Sequence, residues 1–183
     1  MPDSYIIKDQ FAKYFLTFQV VHWLDIFTRK RYRDIITDSF NYCVAHKELQ
    51  VHAWVIMSNH VHCILSSSSG TLSDTIRDFK RHTAKQILES VQTEVESRRE
   101  WLLEQFTKAA QQHVRNKDFQ VWTHENHAVE LSPFINGMSD SKLHYIHNNP
   151  VEAGLVERPE DYLYSSAGDY CGARKGMVRL VLL

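Results

Sequence analysis

Hydrophobic and polar positions change period several times along this chain, and each change marks an element. "YFLTFQVVHW" (14–23) is short, β-branched and aromatic and is followed by polar residues, which predicts a strand. In "RDIITDSFNYCVAHKE" the apolar positions Ile35, Ile36, Phe40, Cys43 and Val44 fall near helical spacing and predict a first helix. "LQVHAWVIM" (49–57) and "HVHCILS" (60–66) read as two further strands. Ser58 and Asn59 between them predict an antiparallel hairpin, with Asn59 suited to positive φ in the turn. After "SSSSG", the stretch "LSDTIRDFKRHTAKQILESV" (72–91) carries Ile76, Phe79, Ile87 and Leu88 on a long helical pattern, with Thr71 or Ser73 as N-cap.

No Gly or Pro interrupts the chain from there until Pro133. The helical pattern therefore either runs on to about residue 115 or folds back as a helical pair, and 86–118 is read as a helical arm. "FQVWTHENHAVEL" (119–131) has the composition of one or two short strands. "SDSKLHYIHNN" (139–149) predicts a helix capped by Ser139 or Asp140 and closed by Pro150, ahead of a turn-rich C-terminal stretch. The order strand, helix, strand, strand, helix, strand is the split βαβ arrangement of a ferredoxin-like α+β sandwich with an antiparallel sheet. That fold hosts many activities, so function has to be argued from sites.

Composition narrows this modestly. At 183 residues, one domain spanning 1–183 is expected, and 43% apolar with 23% charged residues names no activity class. A formal net charge of −1 means that a nucleic-acid partner would have to meet a local basic patch rather than a whole-molecule field. Cys43, Cys63 and Cys171 are odd in number and widely spaced, which suits reduced thiols. With no run of 18 consecutive apolar residues, a membrane span is not expected and a cytoplasmic location is.

Chemistry concentrates in "HAWVIMSNHVHCILSS" (52–67), which holds three histidines. Alternate strand residues share a face, so His60 and His62 point the same way with Cα atoms about 6.6 Å apart, close enough to converge on one cation. Imidazole alone favours a transition metal, and a third ligand, an oxygen, must come from elsewhere in the fold. The competing reading is two hydrogen-bonded histidines on a half-exposed strand. In "KLHYIHNNPVEAGLV" (142–156), Tyr145 and Asn149 stand four apart and share a helix face, where the Asn carboxamide can supply that oxygen beside the phenol. Taken alone, Tyr145 reads equally as a packing aromatic and Asn149 as a helix cap.

Together the two stretches resemble something specific. "HAWVIMSNHVHCIL" resembles the strand, turn and HUH strand (His, hydrophobic, His) of the single-tyrosine transposases, above all the REP-associated tyrosine transposases. "YIHNNPVEAGLVERPEDYLYSSAGDY" resembles their tyrosine helix and the segment after it, and "FKRHTAKQI" the helix after the HUH strand. The likeness covers most of 14–170. Ser58 stands where many relatives have Pro, and the 86–118 arm is longer than usual. The resemblance implies metal-dependent nicking and rejoining of single-stranded DNA, with Tyr145 as nucleophile and a covalent 5′-phosphotyrosine. His60, His62 and Asn149 would be the metal ligands, Mg²⁺ or Mn²⁺ the cofactor, and single-stranded or hairpin DNA the partner, with a homodimer as a further expectation.

A phenol is protonated at neutral pH, so as a nucleophile it must lose its proton to a base or water, or be held as phenolate by a nearby metal. For DNA contact, Arg77, Lys80, Arg81 and Lys85 lie at spacings of three, four and eight and form one helical stripe. Arg29, Lys30, Arg31 and Arg33 form a second cluster beside Tyr32. Such clusters contact phosphates without reading sequence, and each reads equally as a solvated face. Two other functions compete: a domesticated protein that binds a DNA hairpin without transposition, and a zinc-dependent hydrolase using His60, His62 and His124 or His127.

Overall fold

A computed structural model describes residues 6–112, 118–132 and 137–183. Strand β1 (Tyr14–Gln19) leads through two turns of 3-10 helix into helix α1 (Lys30–His46). Strands β2 (Leu49–Ile56) and β3 (His60–Ser67) follow, then helices α2 (Leu72–Thr93) and α3 (Arg99–Gln111). A two-residue strand β4 (Val129–Glu130), helix α4 (Met138–Glu152) and the single turn α5 (Ala167–Tyr170) complete the order. The sheet runs β2-β3-β1-β4 and its neighbours are antiparallel, the ferredoxin-like arrangement expected from the element order.

Strand alternation divides the sheet into two faces. Leu16 and Phe18 of β1, Trp54 and Ile56 of β2, and Val61, Cys63 and Leu65 of β3 point toward the helices, where Phe40 of α1 and Ile76, Phe79 and Ile87 of α2 meet them in the main core. Phe15, Ala53, Val55 and Ile64 point the other way, onto a smaller core closed by Ile146 of α4. His62 belongs to this second face, because it stands opposite Thr17 in the β1–β3 register.

Several local expectations resolve differently. The two-residue turn at Ser58 and Asn59 is present, closed by Met57 N–H donating to the His60 carbonyl at 2.9 Å, but Asn59 is not among the positive-φ residues. Its side chain is used instead, as shown below. Between Val51 and Ala53 a bulge breaks the β2–β3 register, and His52 sits in it. Both His52 ring nitrogens are taken, Nδ1 by the Val181 carbonyl at 2.7 Å and Nε2 by Ser66 Oγ at 2.8 Å, so this third histidine staples the C-terminal segment to the sheet.

Helix α2 begins after Thr71, yet neither Thr71 nor Ser73 supplies a capping side chain. Gln10 does so from a distance: its Oε1 accepts from Ser73 N–H at 2.8 Å. Of the two courses open to 86–118, the chain takes the folded-back one. Helix α3 returns against α2 and puts Leu102 and Phe106 into the main core, so the described part of this segment is a built-in helical pair. The end of the expected arm, 113–117, lies outside the described residues, as does Pro133.

Helix α4 starts after Gly137 at φ 76°, not at a Ser139 or Asp140 cap. Pro150 does not close it. The helix continues to Glu152 and ends where Gly154, at φ 69°, donates to the Val151 carbonyl and Leu155 N–H to the Pro150 carbonyl. That pair of bonds is a Schellman motif, with glycine in the left-handed position it requires. The 119–131 stretch runs antiparallel along β1, bridging Val20 to Trp122 and pairing Phe15 with Val129.

Candidate active site

The site forms where the β3 start, the β1 face and helix α4 meet. His60 and His62 lie with ring centroids 4.5 Å apart, edge to face, and Tyr145 stands beside His62 with centroids 5.1 Å apart. The Tyr145 hydroxyl is 3.4 Å from His62 Nε2. Phe15 braces both, stacked on His62 at 5.4 Å and edge-on to Tyr145 at 5.9 Å. Tyr145 is nonetheless 41% exposed, so its ring is packed on one side and open on the other. Asn149, half-buried, follows one helical turn on.

Hydrogen bonds from outside the histidine pair decide which nitrogens it presents. The Asn59 Nδ2 donates to the Trp23 carbonyl at 3.3 Å and to Asp25 Oδ1 at 3.2 Å, which turns Oδ1 toward His60 Nδ1 at 2.7 Å. An amide oxygen only accepts, so the hydrogen of a neutral His60 sits on Nδ1 and Nε2 carries the lone pair. On His62 the Thr17 hydroxyl engages Nδ1 at 2.9 Å, leaving Nε2 facing Tyr145. Such outer contacts are how metal-ligating histidines are oriented, and the donor set fits a cation: two imidazole Nε2 atoms with a carboxamide one turn from the phenol. Burial lowers the His60 pKa, and burial together with the charges of His60 and Lys142 takes His62 down to about 3, so both rings are neutral near pH 7.

Thr17 and Phe15 carry no site signal in the residue pattern, Lys142 none beyond its spacing from Tyr145, and Asn59 reads there only as a turn residue. Lys142 Nζ lies 4.6 Å from the Phe15 ring centroid and 5.8 Å from that of Tyr145. Its position three residues before Tyr145 was the available signal. Thr17 could have been found only through the strand register.

The two basic clusters fare differently. Arg77, Arg81 and Lys85 are exposed on α2, although Arg77 pairs with Asp74 and Arg81 with Asp78. Lys80 is turned inward: its Nζ donates to the Thr123 carbonyl at 2.8 Å and Asn126 Oδ1 at 2.6 Å, and burial lowers its pKa to about 8. It clamps the 119–131 stretch to α2 and is not part of a free stripe. In the second cluster, Arg29 and Arg31 converge on the buried carboxylate of Glu96, at 2.8 and 3.0 Å. Lys30 pairs with Asp34, and Arg33 lies over the Tyr164 ring. Arg29 and Arg31 are spent on holding the start of α1 to the α2–α3 connection, while Lys30 stays largely exposed within α1 and Arg33 packs on the C-terminal segment. The α2 stripe lies beyond the sheet from the histidines, beside a groove of about 600 Å³ lined by Arg77, Arg81 and the 119–126 segment.

Among the described residues no three of His, Cys, Asp and Glu come together to hold a metal ion, so neither His124 nor His127 is grouped there with His60 and His62. No helix among them is long and apolar enough to cross a membrane.

A ferredoxin-like sheet with paired imidazoles on the face that α4 covers, and a phenol on α4 beside them, defines an α+β protein with a polar site between sheet and helix. Residues 12–106, just over half of the chain, match the family model described as "Transposase IS200 like", and the chain belongs to that family of DNA-processing enzymes. The structure of a REP-associated tyrosine transposase bound to a REP hairpin is similar in fold, with a TM-score of 0.64 and 15% identity, covering 99% of this chain and 92% of that one. A crystal structure of a candidate transposase from Deinococcus radiodurans R1 aligns at a TM-score of 0.44 and 14% identity over 78% of this chain and 92% of that one. No curated protein matches the sequence.

Proposed function

We propose that this transposase-family chain nicks and rejoins single-stranded DNA, including strands flanking a hairpin, through a covalent 5′-phosphotyrosine at Tyr145. The observation that carries the reading is the Tyr145 hydroxyl 3.4 Å from His62 Nε2, on a helix face open to solvent, with His60 oriented beside it by Asn59. The fold relative that binds a REP hairpin supports hairpin DNA as the substrate class.

His60 and His62 would hold a divalent ion, Mg²⁺ or Mn²⁺, with Asn149 as third ligand. Once bound, the ion would draw off the charge that develops on the phosphate oxygens. The phenol oxygen forms the bond to phosphorus as the bond to the 3′ oxygen breaks; the phenol proton leaves to water, and the freed 3′ oxygen takes one up. A His62 Nε2 engaged by the phenol is not free to hold the ion, so the present contact with Tyr145 marks where the phenol rests before DNA arrives. Lys142 places a positive charge beside the phenol ring, where it can meet the phosphate. Attack by a 3′-hydroxyl on the phosphotyrosine ester reverses the bond exchange, so strand transfer needs no external energy source. Phosphates farther along the DNA would meet Arg77, Arg81 and Lys85, which requires the strand to pass round the sheet edge.

Incubation with end-labelled hairpin DNA and Mn²⁺, followed by a denaturing gel, tests this. A shifted protein–DNA band is expected, absent in Tyr145→Phe while binding persists. An adduct that survives Tyr145→Phe contradicts the proposal, and binding without any adduct in the unaltered protein favours a DNA-hairpin-binding role.

A further inference from the structure

Beyond the histidines, the end of β1 does something costly. His22 and Trp23 take up left-handed φ values of 53° and 55° in succession, a conformation that bulky L-residues rarely adopt and that concentrates at functional sites. The result is to leave Trp23 62% exposed while Val21 and Leu24 on either side are buried. Its indole stands edge-on to His60, with centroids 6.4 Å apart. The exposed position is also fixed: Asn59, which orients His60, donates from the same carboxamide to the Trp23 carbonyl, and the Val20 and Phe27 N–H groups donate to the carbonyls of Asn59 and Ser58. A large aromatic ring exposed beside a polar site, on a backbone tied down on both sides, offers a flat face on which a base can stack.

Strand register gives the platform a direction. Phe15, Thr17 and Gln19 follow one another along β1, with His62 opposite Thr17 and His60 opposite Gln19. Tyr145 touches Phe15 and His62, and Trp23 lies past Gln19 against His60. The order along the sheet is therefore Tyr145, His62, His60, Trp23. A phosphate facing the imidazole pair has the attacking phenol on one side and the indole on the other. In-line displacement puts the leaving 3′ oxygen opposite the phenol, and so on the Trp23 side.

We propose that Trp23 is the stacking platform for an unpaired nucleobase, that of the nucleotide immediately 5′ of the cleaved phosphate. The inference rests on the nicking reading for its polarity. The platform holds the strand end whose 3′-hydroxyl is released when the phenol–phosphorus bond forms and the phosphorus–3′ oxygen bond breaks, keeping that hydroxyl within reach for rejoining. Base–aromatic stacking tolerates any base, so Trp23 contributes affinity and position rather than sequence choice.

The test uses full-length Tyr145→Phe protein and a pool of DNA hairpins with randomised single-stranded flanks, enriched for binding. The enriched hairpin is then remade with 2-aminopurine at each flank position in turn. One position is expected to be quenched on binding, the one immediately 5′ of the site cut by the unaltered protein. Adding Trp23→Ala, which removes the indole beside His60 and keeps the same backbone demand, abolishes that quench and weakens binding about tenfold, whereas Trp23→Phe restores most of both. Unchanged affinity in Trp23→Ala, or quenching indifferent to Trp23, overturns the proposal, and quenching only on the 3′ side overturns its polarity. If the unaltered protein forms no adduct yet one position still shows Trp23-dependent quenching, the catalytic reading falls and the platform stands.

Discussion

Two clusters of convergent polar side chains sit within this small fold, and they are built to opposite ends. Around Glu96, the guanidinium groups of Arg29 and Arg31, the Tyr32 hydroxyl and the Arg98 backbone N–H all donate to one buried carboxylate. Around His60 and His62, Asn59 and Thr17 engage Nδ1 of each ring, and the Nε2 of His62 faces an open tyrosine. The first cluster saturates its central group and stabilises; the second orients its central groups and leaves their outward valence for a ligand. Charge density in a sequence does not separate the two cases. What separates them is whether the partners consume the atom that chemistry would need.

The largest effect that sharpens this contrast is His62→Ala. Nicking is expected to fall about a hundredfold to a thousandfold in a labelled-strand assay, the scale for losing one charge-stabilising group, with DNA affinity largely kept. Glu96→Ala is expected to act on stability instead. Removing one partner of a buried ionic network costs about 3 kcal/mol, read as a lower denaturation midpoint in urea with an unchanged slope. The same group predicts acid sensitivity. Burial alone would raise the Glu96 pKa, but the Arg98 N–H, Arg29 and Tyr32 hydrogen bonds overcome it and bring it down to about 2. With the folded value depressed, this stabilisation is complete above the unfolded carboxyl range near pH 4.5 and is lost as pH falls toward 2. A urea midpoint for Glu96→Ala that tracks the unaltered protein at pH 7 would break the comparison.

Much of this architecture was legible from the pattern of residues. Short β-branched, aromatic and apolar runs in β1, β2 and β3 and helical spacing in α1 and α2 are local signals, and these elements form where those signals lie. The pairing of His60 with His62 follows from strand geometry, and Tyr145 with Asn149 from helical spacing. What the residues did not disclose depends on distant partners. Glu96 meets Arg29 and Arg31 across more than sixty positions, so the basic run at 29–33 looked like a DNA surface. Helical spacing puts Lys80 on an exposed stripe, and nothing local reveals that Asn126 waits beneath it. Asn59 reads as a turn former, whereas its carboxamide orients its own neighbour, and Pro150 reads as a stop although a glycine four residues later ends the helix.

Smaller effects probe the orienting shell. Asn59→Ala removes the acceptor from His60 Nδ1 and is expected to weaken Mn²⁺ binding tenfold to about a hundredfold by calorimetry, the usual range for an outer contact to a ligating histidine. Thr17→Val should show a lesser loss, since a hydroxyl contact is the weaker restraint. Smallest of all, Arg81→Gln should lower the salt dependence of single-strand binding by about 0.7 in the slope of log affinity against log salt, leaving thermal stability unchanged. Arg31→Gln should do the reverse, lowering stability with no change in that slope, because its charge is already spent on Glu96.

The most direct measurement is the identity of the atom that takes the DNA. Nuclease-trimmed protein–DNA adduct, digested with protease and sequenced by mass spectrometry, is expected to carry its nucleotide remnant on the peptide that contains Tyr145, at the phenol oxygen. A remnant on any other residue, or cleaved strands bearing free 5′-phosphates with no remnant on the protein, would contradict the account.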